Sequence, residues 1–130
     1  MYERALGLAP RHAPAANNLA YLICEHGGNL ARALELARRA RELAPANPFI
    51  ADTLAWCLYK AGAYDMALPL LDESRAALGD TPQFNHHVGM THFKLGQHVE
   101  AQAALEHALE LSQDFKGADE ARDTLAELNN

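Results

Sequence analysis

Between Trp56 and Leu68 the chain reads WCLYKAGAYDMAL, two apolar runs separated by the short turn Ala61-Gly62-Ala63. Thirty-four residues further on it reads MTHFKLGQHVEAQ, Met90 to Gln102, with a Lys, a Gly and an Ala in the same three places. Working outward at that shift, Pro48 meets Pro82, Lys60 meets Lys94, Gly62 meets Gly96, Ala67 meets Ala101 and Leu71 meets Leu105. Similar pairs fill in: Leu54 with Val88, Ala55 with Gly89, Tyr59 with Phe93, Asp72 with Glu106. In the other direction Ala33 precedes Ala67 by 34 residues and Gly27 precedes Gly62 by 35. The surplus residue falls at Gly27-Gly28. A turn absorbs an extra glycine, whereas an insertion inside a helix would rotate its whole apolar face. A fixed interval of this length marks a repeat architecture.

Inside each unit the apolar period is that of a helix. Ala51, Leu54, Ala55 and Leu58 fall at i, i+3, i+4, i+7, as do Ala16, Leu19, Ala20 and Ile23. The second halves repeat this with Tyr64, Ala67, Leu68, Leu71 and with Leu30, Ala33, Leu34, Ala37. Gly62 and Gly96 stand just after a first apolar run, where a left-handed C-cap belongs. Pro14, Pro48 and Pro82 stand near first-helix starts, where the missing N–H costs little. Asn47 is placed to cap the second pair, and Asp80 or Thr81 the third. Ala and Leu dominate while aromatics make up 7% of the chain, which favours helix over sheet, and no run reads as a strand. The pattern predicts a partial helix over 2–8, helix pairs over 14–26 and 30–44, 48–61 and 64–78, 82–95 and 98–112, and a last helix over 117–128. Pro69 falls in the early part of its helix and should disturb the hydrogen bonding there.

This pattern resembles the tetratricopeptide repeat (TPR), a helix–turn–helix of 34 residues with marks at fixed positions. The first unit carries them as Leu19, Ala20, Ile23, Ala33, Ala37, Ala40 and Pro45. The second has Leu54, Ala55, Leu58, Ala67, Leu71 and Ser74, with Gly79 in place of the closing Pro. The third has Val88, Gly89, His92, Ala101, Leu105 and Ala108, with Gln113 in that place. The opening YERALGLAP is similar to the tail of a preceding repeat, in Ala5 and Pro10. The resemblance implies an all-α, right-handed superhelical α-α solenoid: a single TPR domain over 1–130, with repeats at 13–47, 48–81 and 82–115 and a solvating capping helix over 116–128. Small residues let paired helices approach, large ones fill the holes between them, and each pair leaves an apolar face for the next to cover. A start inside a repeat makes the chain read as a piece of a longer array. The alternative is that the short first helix is a weak native cap; Tyr2, Leu6 and Leu8 would then expose an apolar edge, and if that edge is an interface the chain should self-associate.

Composition narrows the function. The net charge of -6 argues against general nucleic-acid binding, which needs a basic surface. Residues 1–47 carry about two net positive charges and 48–130 about eight negative ones, a polarity that serves solubility or attraction to a neighbour. No apolar run approaches the length of a membrane span, and the first residues lack the pattern of a signal peptide. Either the cytoplasm or, for an excised piece of an exported parent, the periplasm is compatible. Cys24 and Cys57 lie far apart on apolar helical stretches, as buried free thiols or as a disulfide.

The resemblance also implies a groove lined by the first helices. Carried over residue by residue, its wall is Asn17, Tyr21, Cys24 and Glu25 in the first unit. The second supplies Phe49, Asp52, Trp56, Tyr59 and Lys60, and the third Gln83, His86, Met90, Phe93 and Lys94. Tyr21, Trp56, Tyr59, Met90 and Phe93 would anchor a guest peptide; Asn17, Asp52, His86, Lys60 and Lys94 would orient it. The competing role for Trp56, Tyr59 and Phe93 is packing between helices. Relatives that grip an acidic C-terminal tail use Lys and Asn where this chain has Asn17 and Tyr21, so that clamp is not expected. His86, His87, His92, His98 and His107 invite a metal, but spacings of five and six place them on different faces. His92, at a position between helices, should be a partly buried histidine with one hydrogen-bond partner, and the pH-sensitive spot. No HExxH, CxxC, phosphate loop or nucleophile motif occurs, so no cofactor and no catalysis are expected. The expectation is a non-catalytic protein–protein interaction scaffold that holds a peptide or helix of a partner. The alternative is a structural segment of a longer solenoid docking through its ends, since the chain is also similar to repeats of long bacterial TPR proteins, some serving envelope polysaccharide export.

Overall fold

Each first helix begins with proline at its first or second position and ends one residue before a turn whose glycine has positive φ. The computed structural model describes residues 12–130, and among these it has seven α-helices and no strand. They are α1 (Ala13–Glu25), α2 (Leu30–Leu43), α3 (Pro48–Lys60), α4 (Tyr64–Leu78), α5 (Pro82–Lys94), α6 (His98–Leu111) and α7 (Ala118–Leu128). The expected helix over 2–8 and the edge of Tyr2, Leu6 and Leu8 lie outside the described residues.

The repeated turn is one structure. Gly62 and Gly96 have φ of +86° and +77°, and Gly27 has +70°. In each of the two later turns the amide after the glycine reaches back to the helix: Ala63 N to Leu58 O and Gln97 N to His92 O, both at 2.9 Å. These 6→1 bonds satisfy carbonyls that a helix end leaves without partners, and glycine takes the left-handed conformation without a Cβ clash. The caps at the other ends are more varied. Asn47 Oδ1 accepts from the amides of Phe49 at 2.9 Å and Ile50 at 3.2 Å, as expected. His12 caps α1 through Nδ1, and Asn29 caps α2 through Oδ1. Thr81 departs from expectation: it is the N-cap residue of α5, but its hydroxyl donates backward to Leu78 O at 2.7 Å and makes no cap bond. Asn85 donates to Gly79 O and Thr81 O, both at 2.8 Å, and so ties the loop to the helix. Pro69 lies inside α4 on its exposed side.

The chain divides into two compact units, residues 1–73 and 74–130. In the first, α1 pairs with α2, and α3 packs on both. The close approach is made by Ala16, Ala20, Ala33, Ala37 and Ala40, all fully buried. From Thr53 to Tyr59 every residue of α3 is buried, the sign of a helix enclosed on all sides. At the surface of this unit Arg41 Nη2 meets Glu73 Oε1 at 2.6 Å, a half-exposed pair worth at most about 1 kcal/mol.

In the second unit α5 pairs with α6, and α7 packs on both. Gly89 lies so close to α6 that a Cβ there would come within 2.6 Å of Leu105 Cγ, so the smallest residue stands where the helices nearly touch. Phe84 is fully buried and carries the Arg75 guanidinium over its ring at 5.6 Å. Ser74, which replaces the small apolar residue of the repeat pattern, is also fully buried.

Candidate peptide-binding surface

In the first unit, α1 contributes Asn17, Asn18, Tyr21 and Leu22, and α3 contributes Thr53, to an open cleft of about 320 Å³. Asn17 and Tyr21 are four residues apart, hence on one face of α1. Both are half-buried, Asn18 is exposed, and Asp52 beside Thr53 is half-buried. Asn17 Oδ1 is buried and has no hydrogen-bond partner. A buried acceptor without a donor costs about 1–3 kcal/mol relative to a satisfied one. Phe49, at the start of α3, is 61% exposed.

The other expected groove residues of this unit are placed differently. Trp56 is only 2% exposed, which corrects the expectation that its ring lies open to a guest. Its Nε1 donates to Glu25 Oε1 on α1. Its face stacks on Tyr59 at 4.4 Å between centroids and 4° between planes. The Lys60 ammonium lies 5.1 Å from the ring centroid. A large amphipathic ring is best accommodated where its edge finds an acceptor and its faces find a ring and a cation, and helix α1 supplies that acceptor. Tyr59 is 7% exposed and also meets the Tyr64 ring at 5.4 Å, so it too is part of the packing. Lys60 is exposed.

In the second unit the expected floor is covered. His86 and Met90 are 4% and 3% exposed, against the expectation that they face a guest. Helix α7 and the loop before it provide the cover. His86 Nε2 lies 2.7 Å from Glu120 Oε1, and the Phe115 ring meets the His86 ring edge-on at 6.1 Å. A Cβ at Gly117, where φ is +106°, would lie 2.6 Å from His86 Cε1. Thr124 Oγ1 donates to Met90 Sδ at 3.5 Å. The capping helix therefore seals two positions of the repeat surface as well as facing solvent. Phe93 is half-buried and stacks on His98 at 5.9 Å, and Lys94 is exposed. His92 is half-buried, with Nδ1 2.7 Å from Gln97 Oε1. Glu120, Gly117 and Thr124 were missed in the sequence because nothing in the repeat pattern extends to the last helix. No group of three or more His, Cys, Asp or Glu side chains that could hold a metal occurs among the described residues. None of the helices there is long and apolar enough to cross a membrane.

Helix hairpins with glycine turns at one interval, joined through alanine and glycine contacts, define a TPR protein. The family described as Anaphase-promoting complex, cyclosome, subunit 3 matches residues 26–108, and the chain belongs to that TPR-like family. Among solved structures, the first TPR of Spaghetti (RPAP3), bound to the HSP90 peptide SRMEEVD, aligns with a TM-score of 0.76 at 18% identity, over 90% of this chain and 90% of that one. The type III secretion translocator chaperone SycD of Yersinia enterocolitica aligns with a TM-score of 0.72 at 19% identity, over 88% of this chain and 81% of that one. MamA (41-end) from Desulfovibrio magneticus RS-1 aligns at 0.72 and 17% identity, over 98% and 81%. At these identities the likeness is one of fold. No curated protein matches the sequence.

Proposed function

We propose that the chain is a non-catalytic protein–protein interaction scaffold that holds an extended peptide segment of a partner against α1 and α3. The observation that carries this is the buried, unpartnered Oδ1 of Asn17 at an open polar cleft. A turn of the Asn17 amide toward the cleft would offer it to a backbone N–H of a guest. Tyr21 presents a half-buried ring one turn further along the same face, and Asp52 places a carboxylate on the neighbouring helix for a second amide or a cationic side chain. Trp56 and Tyr59 act as rigid backing. Because they are packed before any guest arrives, binding adds little ordering cost. Lys60, exposed at the end of α3, is available to an acidic residue of a guest. Two proteins of the same fold support this use of it: the first TPR of Spaghetti holds an HSP90 peptide, and SycD is a translocator chaperone.

Panning a random library of short peptides on the immobilised chain tests the proposal. Enriched peptides should lose about tenfold or more in affinity on Asn17→Ala or Tyr21→Ala. An absence of enriched peptides, or enriched peptides that bind both variants and Asp52→Ala as well as the wild type, would overturn it.

A further inference from the structure

Cys24 and Cys57 are 33 residues apart in the chain, on different repeats, yet both are buried in the last turns of α1 and α3, which pack on one another in the first unit. Both are free and buried. Cys57 Sγ also lies 3.9 Å from the carbonyl oxygen of Ala20, one turn before Cys24 on α1. Each cysteine sits in the last turn of its helix, and α1 is followed by the exposed residues His26, Gly27 and Gly28. Helix ends open locally more readily than helix centres, so a small solute has a route to this pair without global unfolding.

We propose that Cys24 and Cys57 are a modification site, a dithiol that a peroxide converts to a reversible disulfide stapling α1 to α3. The two thiols have distinct roles. The hydrogen bond from Cys57 holds the Cys24 thiol below its ordinary range; Lys60 adds to this, while burial and Glu25 oppose it. The same hydrogen bond, followed by burial, pushes Cys57 well above its ordinary range. Cys24 is thus the nucleophile and Cys57 the proton-bearing partner.

The chemistry balances in two steps. The Cys24 thiolate attacks one oxygen of hydrogen peroxide; the O–O bond breaks, and the departing hydroxide takes up a proton as water, leaving Cys24 as the sulfenic acid. The Cys57 sulfur then attacks Cys24 Sγ; the S–O bond breaks, the Cys57 proton leaves with the hydroxyl as a second water, and the S–S bond forms. Two thiols are oxidised by two electrons in all, and one peroxide is reduced to two waters. With Cys57 Sγ already against the α1 turn that carries Cys24, a side-chain rotation and a small helix shift bring the sulfurs to the ~2 Å of an S–S bond. The product adds a covalent cross-link between two neighbouring repeats that are otherwise held by non-covalent contacts.

The test treats the reduced, folded chain with hydrogen peroxide and then alkylates it in denaturant without reductant. The expected product is a monomer about 2 Da lighter than the reduced chain, with neither cysteine alkylated and a peptide map that joins the segments holding Cys24 and Cys57. Its melting temperature should rise by on the order of 10 °C, and dithiothreitol should reverse the shift. Cys57→Ser should stop at a Cys24 sulfenic acid that dimedone labels, and Cys24→Ser should leave Cys57 a thiol. The wild-type map needs no variant. If both cysteines remain alkylatable after peroxide, if only intermolecular disulfides form, or if Cys24→Ser oxidises as fast as the wild type, the proposal fails.

Discussion

Asn17 and His86 are each the fifth residue of a first helix, α1 in the first unit and α5 in the second, yet they meet opposite surroundings. Asn17 lines an open cleft and holds a buried acceptor with no partner. His86 is sealed by Gly117, Phe115 and the Glu120 carboxylate at 2.7 Å. The repeat puts both side chains on the same face of equivalent helices. What that face does is decided by whether a later helix lies over it. A position left open in one repeat is thus a packing position in another, and equivalence in the pattern does not carry equivalence of surroundings.

The contrast can be broken most severely at Trp56, whose ring is packed where an exposed anchor was expected. Trp56→Ala should destabilise the chain by about 3–5 kcal/mol in urea titration, the cost of emptying a buried aromatic site. A loss below about 1 kcal/mol would return Trp56 to the open wall. In the second unit Gly89→Val should cost about 1–3 kcal/mol, because a Cβ already collides with Leu105. Its signature is faster amide exchange in α5 and α6. Glu120→Ala should cost about 1 kcal/mol and leave His86 less protected, seen as faster exchange in α7 and as accelerated modification of the His86 ring by diethyl pyrocarbonate. The smallest effect on stability belongs to the open side. Asn17→Leu should raise stability by no more than about 1 kcal/mol, since it removes a buried acceptor without a donor. The same variant should lose capture of library peptides. A variant that is destabilised by more than that would mean the amide already serves the fold.

Much of the fold was legible because its signals are local. A glycine with φ of +86° or +77° leaves its mark as a glycine at one interval, and Ala33, Ala67 and Ala101 mark the helix approaches in the same way. Gly89 was visible as a small residue in register, and the structure supplies its reason in Leu105. The Thr81 cap was only half legible, because a hydroxyl can bond forward to an amide or backward to a carbonyl, and here Leu78 O takes it. Of the candidate surface, Asn17 and Tyr21 line a cleft and Asp52 is half-buried. Trp56, Tyr59, His86 and Met90 are buried instead. Their covers, Glu25 over Trp56 and Glu120 and Thr124 over His86 and Met90, come from helices whose packing the repeat marks do not specify, although the last two lie one repeat interval from the residues they cover.

By itself the sequence determined the helices, their turns and the residues at which they touch, since each depends on the propensity and spacing of near neighbours. Only the tertiary structure decided which equivalent faces stay open and which are closed. It also decided that two cysteines on different repeats are buried against the same packed turns. Those outcomes rest on contacts between residues some thirty positions apart, where proximity follows from how whole helices pack and not from local pattern.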